Sequence, residues 1–151
     1  MIKTANKIIA TFFYSGYFPF APGTFGSLLA FGVWILLPDR IILKSILLLL
    51  SILLGIWSAD QFSRDIGTND PSIVVIDEVV GLWLTFYILE LFFKPILIWY
   101  ILGFIFFRLF DIIKPYPISV MEKIDGGLGI MLDDILAGIF AALILIVLND
   151  I

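Results

Sequence analysis

Five long apolar stretches divide the chain and leave few ways for it to fold. They are Thr24–Leu37, Ile41–Ala59, Val79–Phe93, Ile96–Phe110 and Met131–Leu148. Several are shorter than the roughly 20 residues that a straight membrane span needs, but each becomes long enough if its helix continues into the flanking polar motif. Hydrophobic residues make up 62% of the 151 residues and charged residues only 15%, so much of the apolar surface must face lipid. The sequence predicts an all-α integral membrane helical bundle of about five transmembrane helices, in a single domain over residues 1–151.

Two short proline-containing segments predict how these helices alternate across the membrane. Pro38-Asp39-Arg40 and Lys94-Pro95 are typical of tight turns, which would join the first and second stretches, and the third and fourth, as helical hairpins. The turns and the C-terminus would then lie on one side of the membrane, and the polar segments 1–23, 60–75 and 114–129 on the other.

The distribution of basic residues predicts which side faces the cytoplasm. The side with the polar segments carries six basic residues and the turn side three: Lys3, Lys7, Arg64, Arg108, Lys114 and Lys123 against Arg40, Lys44 and Lys94. Because cytoplasmic segments are enriched in Lys and Arg, we expect a multi-pass protein of the bacterial inner membrane whose polar segments, and any active site they form, face the cytoplasm.

Charge and missing residue types exclude several classes of function. A net charge of −4 with no basic stripe argues against a nucleic-acid partner. The chain has no cysteine and no histidine, which excludes thiol nucleophiles, disulfides, imidazole acid–base catalysis and histidine-ligated metals. Any chemistry must therefore use carboxylates, Lys, Arg, hydroxyl groups and backbone amides.

Carboxylates gather where the helices are expected to end on the cytoplasmic side. They are Asp60, Asp77, Glu78, Asp111, Asp133 and Asp134. Helix capping explains one acid in each adjacent pair, but it fails for Asp60 and Asp111, which are expected near helix C-terminal ends where negative charge is disfavoured. Charges at the edge of the hydrocarbon are costly unless they are paired or face water. The cluster predicts a cation site, and oxygen ligands without His or Cys favour Mg²⁺.

Basic residues and glycine-rich turns accompany these acids. Arg64 follows Asp60 by four residues, and Arg108 and Lys114 flank Asp111 at steps of three, so partners share a helix face. These cations either form salt bridges alone or also hold a substrate phosphate. The turns that contain Thr24 and that contain Gly127 and Gly129 precede helices, whose free N–H groups suit a phosphate, although Thr24 is equally typical of a helix cap.

Four motifs in a fixed order extend over most of the chain. They are Pro22–Ser27 (PGTFGS), Ile76–Gly81 (IDEVVG), Phe107–Ile118 (FRLFDIIKPYPI) and Gly126–Gly138 (GGLGIMLDDILAG). Together they resemble the phosphatidylglycerophosphatase A family. The resemblance implies an all-helical fold at the bacterial inner membrane and Mg²⁺-dependent hydrolysis of phosphatidylglycerophosphate to phosphatidylglycerol and inorganic phosphate. One departure is Leu82, where a polar or sulfur-containing residue is expected.

The resemblance also suggests a role for each candidate residue. The acidic motif residues correspond to Asp77, Glu78, Asp111, Asp133 and Asp134, and less closely to Asp60, while the basic ones correspond to Arg108 and Lys114. We expect Asp77, Glu78, Asp133 and Asp134 to hold one or two Mg²⁺ ions that activate water. Asp60 or Asp111 would orient or deprotonate that water, and Arg108 and Lys114 would bind the phosphate. Arg64, Thr24, Gly127 and Gly129 complete the expected phosphate site.

The alternatives are an ion-coupled transporter and a phosphatase of another phosphate ester, while a lipid headgroup transferase fits the sequence poorly. An ion-coupled transporter or channel would have acids along the membrane interior, yet residues 46–55, 82–89 and 98–106 carry no charge. A transferase of the CDP-alcohol type shares Asp125-Gly126, Gly129 and Asp133 but lacks that family's Ala-Arg pair and its last Asp, where Ala137 stands. A phosphatase of another phosphate ester remains open, as does the oligomeric state.

Overall fold

The computed structural model describes residues 4–121 and 123–151, and within these ranges all regular secondary structure is helical. The helices are α1 (Thr4–Ala10), α2 (Pro22–Leu36), α3 (Ile41–Ile66), α4 (Ile76–Phe92), α5 (Leu97–Ile113), α6 (Ile118–Met121) and α7 (Gly127–Asn149), with a 3-10 turn at Ser15–Tyr17. The predicted all-α class is confirmed. Lys3, which was counted for the orientation, lies outside the described residues.

The five apolar stretches form the five long helices α2, α3, α4, α5 and α7, and these helices run on into the polar motifs. Helix α4 begins at Ile76, so Asp77 and Glu78 occupy its first turn as expected. Helix α7 begins at Gly127, four residues before the predicted apolar stretch. Asp133 and Asp134 therefore lie inside α7 rather than at its start, so capping of α7 does not account for them. Helix α3 continues to Ile66, which places Asp60 inside that helix.

Helices α4 and α7 form the centre of the bundle. A Cβ atom on Gly138 would overlap the carbonyl oxygen of Gly81, so the two backbones meet at these glycines. The Thr85 hydroxyl donates to the carbonyl oxygens of Gly81 at 3.0 Å and of Gly138 at 3.1 Å. Small residues permit this close approach of membrane helices. Helix α2 packs mainly on α4, whereas α3 packs on α7, α1 and α4, so α2 and α3 are linked by a tight turn but have different main partners.

Large apolar side chains cover the outside of the bundle. Helices α3 and α7 are long and apolar enough to cross a membrane. Leu49 and Leu53 of α3 and Ile105 of α5 each have more than half of their surface exposed. Exposed apolar surface on this scale favours contact with lipid over contact with water. These features identify a membrane-associated protein.

A buried ion pair joins four helices near the C-terminal end of α4. Lys44 Nζ of α3 lies 2.7 Å from Glu90 Oε1 and 2.8 Å from Glu90 Oε2. The same Oε1 accepts hydrogen bonds from Trp34 Nε1 of α2 at 2.8 Å and from the Tyr100 hydroxyl of α5 at 2.7 Å. The Lys44 and Glu90 side chains are 6% and 8% exposed. This network fixes α2, α3, α4 and α5 at one end of the bundle.

Candidate active site

A cavity of about 260 Å³ opens at the other end of these helices, where α2, α4 and α7 begin and α5 ends. Polar and charged side chains supply most of its lining: Thr24, Asp70, Ser72, Asp77, Glu78, Arg108, Asp111, Lys114, Asp133 and Asp134. Six of these side chains are carboxylic acids and two are basic. When these side chains are ionised, the cavity carries an excess of negative charge. This charge attracts a cation and repels a phosphate group that is not accompanied by a cation.

Three of the carboxylates converge on one point. Asp77, Glu78 and Asp134 each offer one oxygen, and these oxygens lie within 4.8 Å of one another. Asp77 Oδ1, Glu78 Oε2 and Asp134 Oδ2 are buried and have no hydrogen-bond partner among the described residues. Buried carboxylate oxygens are costly unless something compensates for the lost water. A divalent cation with a preference for oxygen ligands fits this set, and Mg²⁺ is such a cation.

Arg108 of α5 connects the carboxylates to α2. Its Nη1 atom forms an ion pair with Asp111 Oδ2 and lies 3.8 Å from Glu78 Oε1. Nη2 donates to the Thr24 hydroxyl at 3.2 Å, and Nη1 lies 3.5 Å from the Ser27 hydroxyl. Nε is buried without a partner among the residues described. The guanidinium is therefore held at the cavity wall by partners on α2, α4 and α5.

Lys114 lies at the other side of the cavity and binds Asp133. Its Nζ atom lies 2.7 Å from Asp133 Oδ2, while Asp133 Oδ1 accepts the backbone N–H of Asp134 at 3.1 Å. Lys114 caps the C-terminus of α5 in the left-handed conformation, with φ of 45°. Asp133 is thus engaged by a lysine and an amide, which separates it from the three carboxylates that converge.

A glycine allows α2 to reach the carboxylates. A Cβ atom on Gly23 would overlap Glu78 Oε1, so a larger residue would fit there only if the Glu78 carboxylate moved. The Ser27 hydroxyl donates to the carbonyl oxygen of Gly23 at 2.8 Å. The Pro22–Ser27 motif therefore serves close packing against Glu78 in addition to placing Thr24 beside Arg108.

Comparison with known proteins identifies the same family along almost the whole chain. The family described as Phosphatidylglycerophosphatase A matches residues 8–149. The chain belongs to the phosphatidylglycerophosphatase A family. This confirms the resemblance seen in the four motifs, and it identifies the chain as a phosphatase.

Three curated relatives cover most of the chain. A protein of Bacteroides thetaiotaomicron named "Putative phosphatidylinositol-3-phosphatase" is 42% identical over 93% of this chain and 91% of its own length. Proteins of Escherichia coli and Haemophilus influenzae, both named Phosphatidylglycerophosphatase A, are 39% and 36% identical. They match 95% and 91% of this chain and each 84% of their own length. No solved structure gives a significant match.

In this phosphatidylglycerophosphatase A family member, eight of the twelve predicted site residues line the one cavity and four lie elsewhere. Asp60 and Arg64 line a separate cavity of about 420 Å³, together with Asn69, Asp125 and Gly126. Asp60 therefore does not join the other five predicted carboxylates. Its carboxylate instead contacts Gly127 at the start of α7 and Arg64 on its own helix.

The two glycines expected to bind phosphate serve helix packing. The backbone N–H of Gly127 donates to Asp60 Oδ1 at 3.3 Å. A Cβ atom on Gly129 would overlap the carbonyl oxygen of Ile124. Neither glycine lines the cavity of the converging carboxylates, so the expected role of this turn in phosphate binding has no geometric support.

Two residues that line the candidate active-site cavity are not indicated by the sequence. Asp70 and Ser72 lie on the loop between α3 and α4. An irregular loop has no helical spacing that would indicate which side chains share a face. Their proximity to Pro71, which favours a turn, was the only available signal.

Proposed function

We propose that this protein is a Mg²⁺-dependent phosphatidylglycerophosphatase, which hydrolyses phosphatidylglycerophosphate to phosphatidylglycerol and inorganic phosphate. One observation carries the proposal: three carboxylates bring oxygens within 4.8 Å of one another beside Arg108. Each of these three side chains also has a buried oxygen with no hydrogen-bond partner among the described residues. The arrangement suits a phosphomonoester, because a cation and a guanidinium can together neutralise its charge. Two relatives at 36–39% identity carry the name of this activity.

A second candidate substrate is phosphatidylinositol 3-phosphate. The Bacteroides relative, at 42% identity, carries a name that refers to this lipid. Both lipids present a phosphomonoester on a hydroxylated headgroup, so the same carboxylates and cations would serve either one. The two substrates differ only in the headgroup beyond the ester oxygen, which makes direct comparison of the two lipids the decisive measurement.

The carboxylates would hold the cation and fix its position. Asp77 and Glu78 come from the first turn of α4 and Asp134 from α7, so the site also ties these two helices together. When bound, Mg²⁺ supplies charge neutralisation at the phosphate and lowers the pKa of a coordinated water. Asp133 is proposed to act one step away, by holding Lys114 at the cavity.

The basic residues and Asp111 would carry out the remaining steps. The Arg108 guanidinium donates hydrogen bonds to phosphate oxygens, and its pairing with Asp111 and Glu78 keeps it oriented before the substrate arrives. Water attacks phosphorus and the bond from phosphorus to the ester oxygen breaks. We propose that Asp111 accepts the proton from the attacking water, while the Lys114 ammonium donates a proton to the ester oxygen, which leaves as the alcohol. Thr24 helps to place Arg108.

The same proposal includes five membrane spans. Helices α4 and α5 have 17 residues each, or about 26 Å of helix at 1.5 Å per residue, which approaches the roughly 30 Å of a hydrocarbon core. Together with α2, α3 and α7 they would place the catalytic cavity at one membrane surface. The predicted excess of basic residues on that side favours the cytoplasmic face of a bacterial inner membrane.

The first experiment is phosphate release by the purified protein in detergent. Phosphatidylglycerophosphate, phosphatidylinositol 3-phosphate and phosphatidic acid would each be supplied with Mg²⁺ and then with EDTA. We expect rapid release from phosphatidylglycerophosphate that stops with EDTA. An Asp134→Asn variant should lose at least about 100-fold in kcat/KM, because it removes one of three converging ligands. Faster release from phosphatidylinositol 3-phosphate would replace the proposed substrate, and release that persists in EDTA would contradict the metal assignment.

A further inference from the structure

Asp60 touches the start of a helix other than its own. Its Oδ1 atom accepts the backbone N–H of Gly127, the first residue of α7, at 3.3 Å. Its Oδ2 atom lies 2.9 Å from Arg64 Nη2, one turn further along α3. The residue that precedes α7 is Gly126, which has no side chain to cap the helix. Asp60 therefore supplies from α3 an acceptor for one of the N–H groups that the start of a helix leaves without a partner within the helix.

The backbone around Gly127 is shaped for this contact. A Cβ atom on Gly127 would overlap the carbonyl oxygen of Ile56 and would lie 2.6 Å from the Asp60 backbone nitrogen. Gly126 adopts φ of 83° and ψ of −175°, a conformation that only glycine adopts readily. Further along, Met131 packs over Gly55, where a Cβ atom would lie 2.7 Å from its Cε. The first two turns of α7 therefore rest directly on α3.

This contact is linked geometrically to the converging carboxylates. Gly127, Met131 and Asp134 are spaced at i, i+4 and i+7, so they lie along one face of α7. Helix α7 is continuous over this range, and a shift of its first turn would move Asp134 with it. The negative charge of Asp60 also complements the positive end of the α7 dipole.

We infer that Asp60 is a positioning residue, which caps α7 from α3 and thereby fixes Asp134 against Asp77 and Glu78. This inference rests on the proposed function for its catalytic consequence, but the cap itself is a structural statement that can be tested without turnover. This role differs from that of a catalytic base. The two roles predict opposite results for Asp60→Asn: a positioning residue would largely keep activity in this variant, and a catalytic base would lose it.

The test compares Asp60→Asn with Asp60→Ala in the full-length protein. The asparagine amide oxygen can accept the Gly127 N–H, whereas alanine cannot, and an asparagine cannot act as a general base. Asp65→Asn removes a neighbouring exposed charge on α3 and is the matched control. Hydrogen exchange of the peptide that covers residues 126–134 is measured in detergent, and phosphate release is measured across a range of Mg²⁺ concentrations.

We expect Asp60→Ala to exchange faster in residues 126–134 and to need about tenfold more Mg²⁺ for half-maximal release, as is typical when support of a metal ligand is lost. Asp60→Asn should exchange more slowly than Asp60→Ala and retain activity within about threefold, because the asparagine oxygen can still accept the Gly127 N–H although the charge is lost. Equal loss of activity in both variants, or unchanged exchange in Asp60→Ala, would overturn the inference. If no lipid phosphate is hydrolysed at all, the proposed function fails while the exchange result still decides the cap.

Discussion

The contact between Gly23 and Glu78 controls how closely the first turn of α2 approaches the proposed cation site. A Cβ atom at position 23 would overlap Glu78 Oε1 and would lie 3.5 Å from Arg108 Nη1. We predict that Gly23→Ala displaces the Glu78 carboxylate and lowers kcat/KM at least about tenfold, since small displacements of catalytic groups are costly. The measurement is phosphate release against Mg²⁺ concentration, which should also shift to higher Mg²⁺.

Gly32 provides the matched control on the same helix. A Cβ atom at Gly32 would meet no atom within 4 Å among the described residues, so Gly32→Ala should keep full activity. It should also raise the stability of the folded protein by up to about 1 kcal/mol, because alanine favours helix over glycine by that amount. Equal activity in Gly23→Ala and Gly32→Ala would show that the packing of α2 on Glu78 is not needed for catalysis.

At the residue scale, the sequence identified the acids but not which of them meet. The sequence predicts four metal ligands, Asp77, Glu78, Asp133 and Asp134. The structure brings oxygens of Asp77, Glu78 and Asp134 within 4.8 Å of one another, whereas Asp133 binds Lys114. Asp60 lies near the C-terminal end of α3, where a negative charge cannot cap its own helix, but it contacts the start of another helix. Its hydrogen bond to Gly127 joins two helices that are far apart in sequence, and spacing along one helix carries no information about such a contact.

Among the helices, Glu90 and Lys44 bind four elements together at the end remote from the cavity. We predict that Glu90→Gln lowers the free energy of unfolding by about 3 kcal/mol, because it leaves the buried Lys44 ammonium without its counter-charge. Thermal unfolding in detergent measures the change. Catalysis at temperatures well below the transition should be retained, since Glu90 does not line the catalytic cavity.

The double variant Lys44→Met with Glu90→Leu is the control for that assignment. Removing both charges together avoids an unpaired buried charge, so the double variant should recover much of the stability lost in Glu90→Gln. The contradicting outcome is a loss of unfolding free energy in the double variant equal to the sum of the losses in the Lys44→Met and Glu90→Leu single variants. That result would show that the pair acts through packing and not through charge.

The apolar stretches predict that five long helices form, but they predict neither where each helix ends nor which helices pack against each other. The apolar stretch predicted from the sequence begins at Met131, four residues after the start of α7. The difference arises because Gly127 and Gly129 indicate a turn in the sequence but are helical in the structure. Only close packing on Ile56 and Ile124 explains helical glycines there. Likewise, the short turn at Pro38 correctly separates α2 from α3, but it does not indicate that α2 packs mainly on α4.

For the whole molecule, the alternation of helices places the proposed catalytic cavity and the Glu90 network at opposite ends of the bundle. The absence of cysteine in the sequence makes single-cysteine labelling a direct test of orientation. Asp39→Cys lies in the turn between α2 and α3, and Thr68→Cys lies in the loop between α3 and α4; both positions are exposed. Asp150→Cys, after α7, is a second exposed position expected on the side of Asp39.

We predict that a membrane-impermeant maleimide labels Asp39→Cys and Asp150→Cys in bacterial spheroplasts, and labels Thr68→Cys only after the membrane is permeabilised. The physical reason is the excess of basic residues on the side of Thr68, which is retained on the cytoplasmic side during insertion. Phosphate release by each variant in detergent confirms that it is folded. The reverse pattern would place the cavity outside the cell, and labelling of all three positions in intact spheroplasts would contradict a multi-pass arrangement, because α3 separates position 39 from position 68 by one span.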